Sequence, residues 1–165
     1  MKSIKIAVVF GALSLVFMGC PYESKVPVDS QVNAKGDASM EGKWLQSSDD
    51  SYKYKITLEG NVYTIKKSEV KGSSDPTYYQ GFLSDLNGTT FANVWEKPTD
   101  GSSEDAKYWI YKFEKKGTEN FKLSGMTNNV TEEFETSKEL QDFITKYQGL
   151  SFFWDKGEEK KFERE

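Results

Sequence analysis

Strict alternation of apolar and polar positions marks the middle of this chain. Tyr52, Tyr54, Ile56 and Leu58 fall on one side, and Lys53, Lys55 and Thr57 on the other. This is the pattern of a half-buried antiparallel strand, with one face on a core and one in water. Glu59-Gly60-Asn61 is a turn signal, and Val62 to Ile65 predicts a second strand. Tyr78 to Leu86 and Thr89 to Glu96 flank Asn87-Gly88. Asn-Gly between two apolar runs predicts a tight hairpin, because both residues tolerate positive φ. Tyr108 to Glu114 and Asn120 to Ser124 predict another hairpin around Lys115-Lys116-Gly117. The period then changes. Leu140, Phe143, Ile144 and Tyr147 share one helical face. Thr136 and Glu139 have the spacing of a capping box, and Gly149 is a C-terminal stop. Phe152 to Trp154 and Lys160 to Arg164 are expected to close the chain as strands around a turn at Asp155-Lys156-Gly157. The mixed charges of that tail fit a solvated edge strand.

The elements add up to a mainly β protein. Short, regularly spaced antiparallel strands predict an antiparallel β-barrel or a strongly curved sheet of about eight strands, with one C-terminal α-helix. The pattern does not choose between a closed barrel and an open sheet. An eight-stranded barrel holds one small ligand or is filled by its own side chains. Aromatic residues make up 15% of the chain. Tyr52, Tyr54, Tyr63, Phe91, Trp95, Trp109, Tyr111 and Phe113 are the candidates for the interior. Buried tyrosine hydroxyls need partners, and a polar-lined pocket is one way to supply them. Tyr54, Tyr63, Trp95, Trp109 and Tyr111 are therefore the candidate ligand contacts. The bland alternative is that these rings simply fill the core.

Composition removes several chemistries. The chain has no histidine, which excludes a Ser-His-Asp triad and any imidazole metal site. No GxGxxG or GxxxxGK[ST] nucleotide motif is present. The net charge of −4 leaves no nucleic-acid footprint. The acidic loop Asp100 to Asp105 does not have the order of a calcium-binding loop and reads as solvated. No catalytic residue or metal ligand is expected.

Residues 1–20 carry a different signal. Lys2 and Lys5 precede an apolar run from Ile6 to Met18, too short for an ordinary membrane span of roughly 20 residues. It ends in Gly19 and Cys20, the only cysteine. Val16-Phe17-Met18-Gly19-Cys20 resembles the lipobox of bacterial lipoproteins. That resemblance implies cleavage after residue 19, with diacylglycerol on the Cys20 thiol and an acyl group on its new amino terminus. Two or three acyl chains anchor a protein stably, where one is marginal. Pro21, rather than Asp, after the cysteine resembles an outer-membrane destination, on either its periplasmic or its surface side. Cleavage removes two lysines and no acids, taking the charge to −6. Residues 20–39 are expected to be the lipidated cysteine and a flexible tether spanning about 25 Å, and residues 40–165 a single β-rich domain.

Gly42-Lys43-Trp44, at the first strand of that domain, resembles the GxW signature of lipocalins and calycins. A helix before the closing strand is similar to theirs. The resemblance implies an eight-stranded barrel in which a basic residue late in the chain covers the tryptophan. Arg164, the only arginine, is expected to lie over Trp44. The sequence thus predicts a lipid-anchored, non-enzymatic envelope protein that binds a small apolar or amphipathic ligand and needs no cofactor beyond its acyl groups. A structural or accessory subunit of an envelope protein complex is the alternative, and a carboxylate-dependent hydrolase comes third.

Overall fold

A computed structural model describes residues 22–98 and 106–165. The lipobox with Cys20 and the acidic loop Asp100 to Asp105 lie outside the described residues. Among the described residues nine strands and one α-helix follow one another: β1 Glu23–Ser24, β2 Gly42–Gln46, β3 Asp49–Glu59, β4 Val62–Glu69, β5 Thr77–Leu86, β6 Thr89–Glu96, β7 Tyr108–Lys116, β8 Asn120–Met126, α1 Ser137–Tyr147 and β9 Trp154–Arg164. From β2 onward each strand pairs antiparallel with its neighbour in sequence, and β9 returns to β2. The result is a closed eight-stranded up-and-down barrel. Local signals set its turns. Asn87 and Gly88 adopt φ of 51° and 80°, the mirror-image turn whose twist matches a hairpin. Helix α1 starts at a complete capping box between Thr136 and Glu139.

The tail is not an edge strand. β9 runs unbroken through Asp155-Lys156-Gly157, which does not turn the chain back, and it pairs with β8 on one side and β2 on the other. The turn expected there does not form; the pairing with β8 instead shifts register opposite Ser124 to Met126. Closure needs a long last strand, so both edges of this charged segment are used. Its alternation then sorts the side chains. Phe162 is buried inside, while Glu163 is exposed.

Two separate cores result. Trp44, Ile56, Tyr63, Leu83, Tyr111, Phe121 and Phe162 fill the lower barrel interior. Phe121 stacks on Phe162 with ring centroids 4.6 Å apart, and Trp44 meets Phe121 edge-on at 4.8 Å. The second core lies outside the wall. Phe91, Ile110 and Met126 pack there against Leu140 and Ile144 of α1 and against Tyr22 and Val28. Two expected interior rings, Phe91 and Trp95, therefore face outward. They are out of phase with Ala92 and Val94, which face the interior of the same strand. Trp95 packs on Phe82 and Tyr108, with centroids 6.1 and 5.5 Å away.

Residues 22–39 are not a free tether. Tyr22, Val28 and Ala34 are buried, and β1 pairs with Tyr108 and Trp109 of β7. Trp109 also pairs with Val94 of β6, so β1 occupies the opposite edge of β7, which β8 takes from Tyr111 onward. The segment is held by polar groups that its sequence does not reveal. Asn93, fully buried, accepts the Val28 N–H through Oδ1 at 2.7 Å and donates to Ser84 Oγ at 2.9 Å. Gln141 of α1 donates to the Val28 carbonyl at 2.8 Å. The Lys35 N–H donates to the Leu83 carbonyl at 3.0 Å.

The segment then crosses under the barrel as a 3-10 turn, Ala38–Met40. Met40 forms the floor, and its carbonyl accepts Trp44 Nε1–H at 2.9 Å. The Arg164 guanidinium lies over the Trp44 indole, 4.4 Å from the ring centroid. It donates to the carbonyls of Glu41 at 2.9 Å, Ser39 at 2.5 Å and Thr118 at 3.1 Å. Gly42 has φ of +136°, and a Cβ there would lie 2.5 Å from Arg164 Nη1.

Gly42→Ala introduces left-handed strain and displaces Arg164; an expected loss of about 1–3 kcal/mol in urea unfolding checks this. Asn93→Ala leaves the buried Val28 N–H without its acceptor and is expected to destabilise by about 1–3 kcal/mol. Hydrogen exchange in residues 22–40 should accelerate in that variant more than in β3 and β4.

Candidate ligand-binding site

Above the Met40 floor the interior is not filled. A cavity of about 290 Å³ remains, at the lower edge of the roughly 300–1,000 Å³ usual for small-molecule sites. Its walls follow from strand alternation. Ile56 and Tyr54 come from β3, Tyr63 and Ile65 from β4, and Tyr79 and Leu83 from β5. Ala92 and Val94 come from β6, Trp109, Tyr111 and Phe113 from β7, and Leu123 from β8. The lining is mostly apolar, so a bound molecule would lose its hydration mainly to hydrocarbon and ring faces.

The two ends differ. The floor residues Met40, Tyr63, Leu83 and Phe121 are buried, while Tyr54, Lys67, Tyr79, Trp109 and Lys160 at the other end are partly exposed. That end is the mouth. Three charged side chains reach the lining there: Glu23, Lys67 and Lys160. The Lys67 ammonium lies 3.8 Å from the Tyr52 ring centroid, and that of Lys160 lies 5.6 Å from the Tyr111 centroid. Glu23 accepts Trp109 Nε1–H at 3.3 Å and pairs with Lys107 at 3.4 Å.

Four of the five candidate ligand contacts meet in this cavity: Tyr54, Tyr63, Trp109 and Tyr111. Trp95 does not, because it faces the outer layer. Trp44 and Arg164 lie beneath the floor. Reading the sequence missed Lys67 and Lys160, although each is in phase with inward neighbours, Ile65 and Phe162 respectively. It also missed Glu23, whose place depends on β1 docking, for which the sequence carries no signal.

The Tyr54, Tyr63 and Tyr79 hydroxyls are held in the protonated form. Burial pushes Tyr54 up to about 12, with Asp49 adding to the effect. Burial likewise raises Tyr63 and Tyr79. Tyr54 donates to Gln46 Oε1 at 3.1 Å, and the Tyr63 hydroxyl accepts the Asp37 N–H at 2.7 Å. These groups offer hydrogen bonds rather than charge. Among the described residues, no group of three or more acidic, histidine or cysteine side chains is placed to hold a metal. No family model, curated protein or solved structure matches this chain. The closed β-barrel therefore rests on strand geometry alone.

Beneath the floor lies a polar cluster. Asp37 accepts from Lys115 Nζ at 2.6 Å and from Ser39 Oγ at 2.6 Å, and Lys115 also donates to Ser39 Oγ. The Lys115 hydrogen bond, followed by that of Ser39, holds the Asp37 carboxyl below its usual value of 3.8. A carboxyl with a lowered native pKa adds stability that is fully present above about pH 3.8 and is lost as pH falls through the native value. Lys115→Gln is therefore expected to be less stable than wild type at pH 6. The difference should stay under about 1 kcal/mol because the pair is partly exposed. The two stabilities should converge as pH falls through the lowered Asp37 value, and urea titrations at pH 6 and across the acid range check it.

Proposed function

We propose that this protein is a lipid-anchored cell-envelope protein whose lipocalin-like barrel binds a small apolar or amphipathic molecule without transforming it. One observation carries the binding reading: an apolar, aromatic-walled cavity of about 290 Å³ with neutral hydroxyls inside and lysines at its mouth. A filled interior would have favoured an accessory subunit of an envelope complex, and this interior is not filled. The Gly42-Lys43-Trp44 motif under Arg164, with a helix before the last strand, supports the lipocalin-like description. The anchor is supported by the short apolar leader that ends at Gly19-Cys20. Apolar groups of the ligand would lie against Ile56, Leu83 and Val94. A polar end would meet the tyrosine hydroxyls or the mouth.

The cavity can be blocked from its own wall. Val94→Trp adds an indole to the lining and is expected to weaken binding of an anilinonaphthalene dye at least tenfold. Leu45→Trp, on the outer face of β2, should leave it unchanged. Dye emission on titration reads both. Equal binding by wild type and Val94→Trp would place the dye outside the barrel and remove the support for a ligand carrier.

A further inference from the structure

We propose that the mouth of the barrel faces the membrane that holds Cys20. This rests on the lipid-anchor reading above and specifies the orientation that the anchor imposes. Three observations carry it.

The first is where the described chain begins. The Tyr22 N–H donates to the Met126 carbonyl at 3.1 Å, and Glu23 pairs with Trp109 and lines the mouth of the cavity. Cys20 is three residues before Glu23. Whatever its conformation, three residues reach at most about 11 Å. An acylated Cys20 thus brings the lipid surface to the mouth, and the docking of residues 22–39 leaves no slack for the domain to turn over.

The second is the distribution of exposed apolar side chains. Among the described residues six large hydrophobic side chains are exposed, and four of them sit in connections or strand ends at the mouth. Val70 follows β4, just beyond Lys67. Tyr78 begins β5 beside Tyr79. Leu150 and Phe152 lead into β9, and the Phe153 carbonyl accepts the Thr127 N–H, one residue from the Met126 that holds Tyr22. Phe152, at 63% exposure, is the most exposed aromatic of the six. Apolar groups at one end of a water-soluble fold mark an interaction surface, and a bilayer interface accepts isolated aromatic and aliphatic side chains among lysines.

The third is the contrast with the base. That end is sealed by the Ala38–Met40 turn and by three hairpins, and it carries the Lys115–Asp37 and Lys35–Asp85 pairs. None of the four exposed apolar side chains named above lies there. With the mouth held down, a ligand reaches the cavity through the lipid headgroups.

The test uses the full-length protein, expressed with its leader in a bacterial host and purified in detergent. Intact mass first reports whether residues 1–19 are lost and Cys20 is acylated, which also leaves no native thiol to label. Phe152→Cys, Leu150→Cys and Thr118→Cys variants are labelled with a small fluorophore and reconstituted into phosphatidylethanolamine–phosphatidylglycerol vesicles containing brominated lipid. Quenching at residues 152 and 150 is expected to exceed that at residue 118, on the β7–β8 hairpin at the base, at least threefold. Two mouth positions guard against one variant failing to fold. Equal quenching at both ends, or greater quenching at residue 118, in a protein shown to be acylated would overturn the orientation and leave the anchor standing. An unacylated Cys20 would overturn the anchor reading and this inference with it.

Discussion

The barrel depends on one guanidinium. Arg164 lies over Trp44 and binds three carbonyls from two chain segments: Ser39 and Glu41 just before β2, and Thr118 in the β7–β8 hairpin. A planar group with five donors satisfies all three while its face covers an indole; a lysine ammonium offers neither the plane nor the fork. The contact also explains Gly42. A Cβ there would collide with Nη1, and the backbone already sits at positive φ. Because Trp44 and Arg164 are paired residues of β2 and β9, the same contact stands where the first and last barrel strands meet. Closure removes sheet edges that would otherwise be open to pairing with other chains.

A second constraint follows from the wall itself. β6, β7 and β8 are apolar on both faces, inside toward the cavity and outside at Phe91, Ile110 and Met126. The outer patch needs a cover, and α1 alone does not complete it. Residues 22–34 supply the rest. Val28 is the meeting point, its N–H taken by Asn93 of the barrel and its carbonyl by Gln141 of the helix. Hydrogen-bonding both backbone groups of a buried residue removes the main penalty for drawing a polar-looking segment into a core. The consequence reaches the site. Once Val28 is fixed, β1 must lie along β7, and Glu23 becomes part of the cavity mouth.

The two ends of the barrel accordingly have different physics. At the base, hydrogen bonds and ion pairs seal the interior around a dense aromatic cluster. Toward the mouth the Tyr79 and Trp109 rings meet on one side, with centroids 5.8 Å apart, and the cavity stays open beside them. Burial keeps the tyrosine hydroxyls there protonated, so the cavity offers weak, neutral hydrogen bonding inside and charge only at its entrance. That gradient suits a molecule with an apolar body and a polar end.

Much of this was legible in sequence, because alternation and turn chemistry are local. Tyr52 to Leu58 declares its inner face, Asn87-Gly88 its turn, and Thr136 with Glu139 the start of α1. The same periodicity brought Tyr54, Tyr63, Trp109 and Tyr111 to one cavity. Alternation says which residues share a face but not which face is inside, so Phe91 and Trp95 went to the outer layer. Nor does it say which edges are paired, so a charged tail that reads as an edge strand became the closing strand. The docking of residues 22–39 was invisible, because its partners, Asn93 and Gln141, lie 65 and 113 residues from Val28. The sequence alone determined the helix and the strands of the hairpins with their turns, through interactions spanning a few residues; the turn read at Asp155-Lys156-Gly157 and the strand at Glu23–Ser24 were not among them. Only the tertiary structure decided barrel closure, the second core and the mouth, because each arises from contacts between segments brought together by closure.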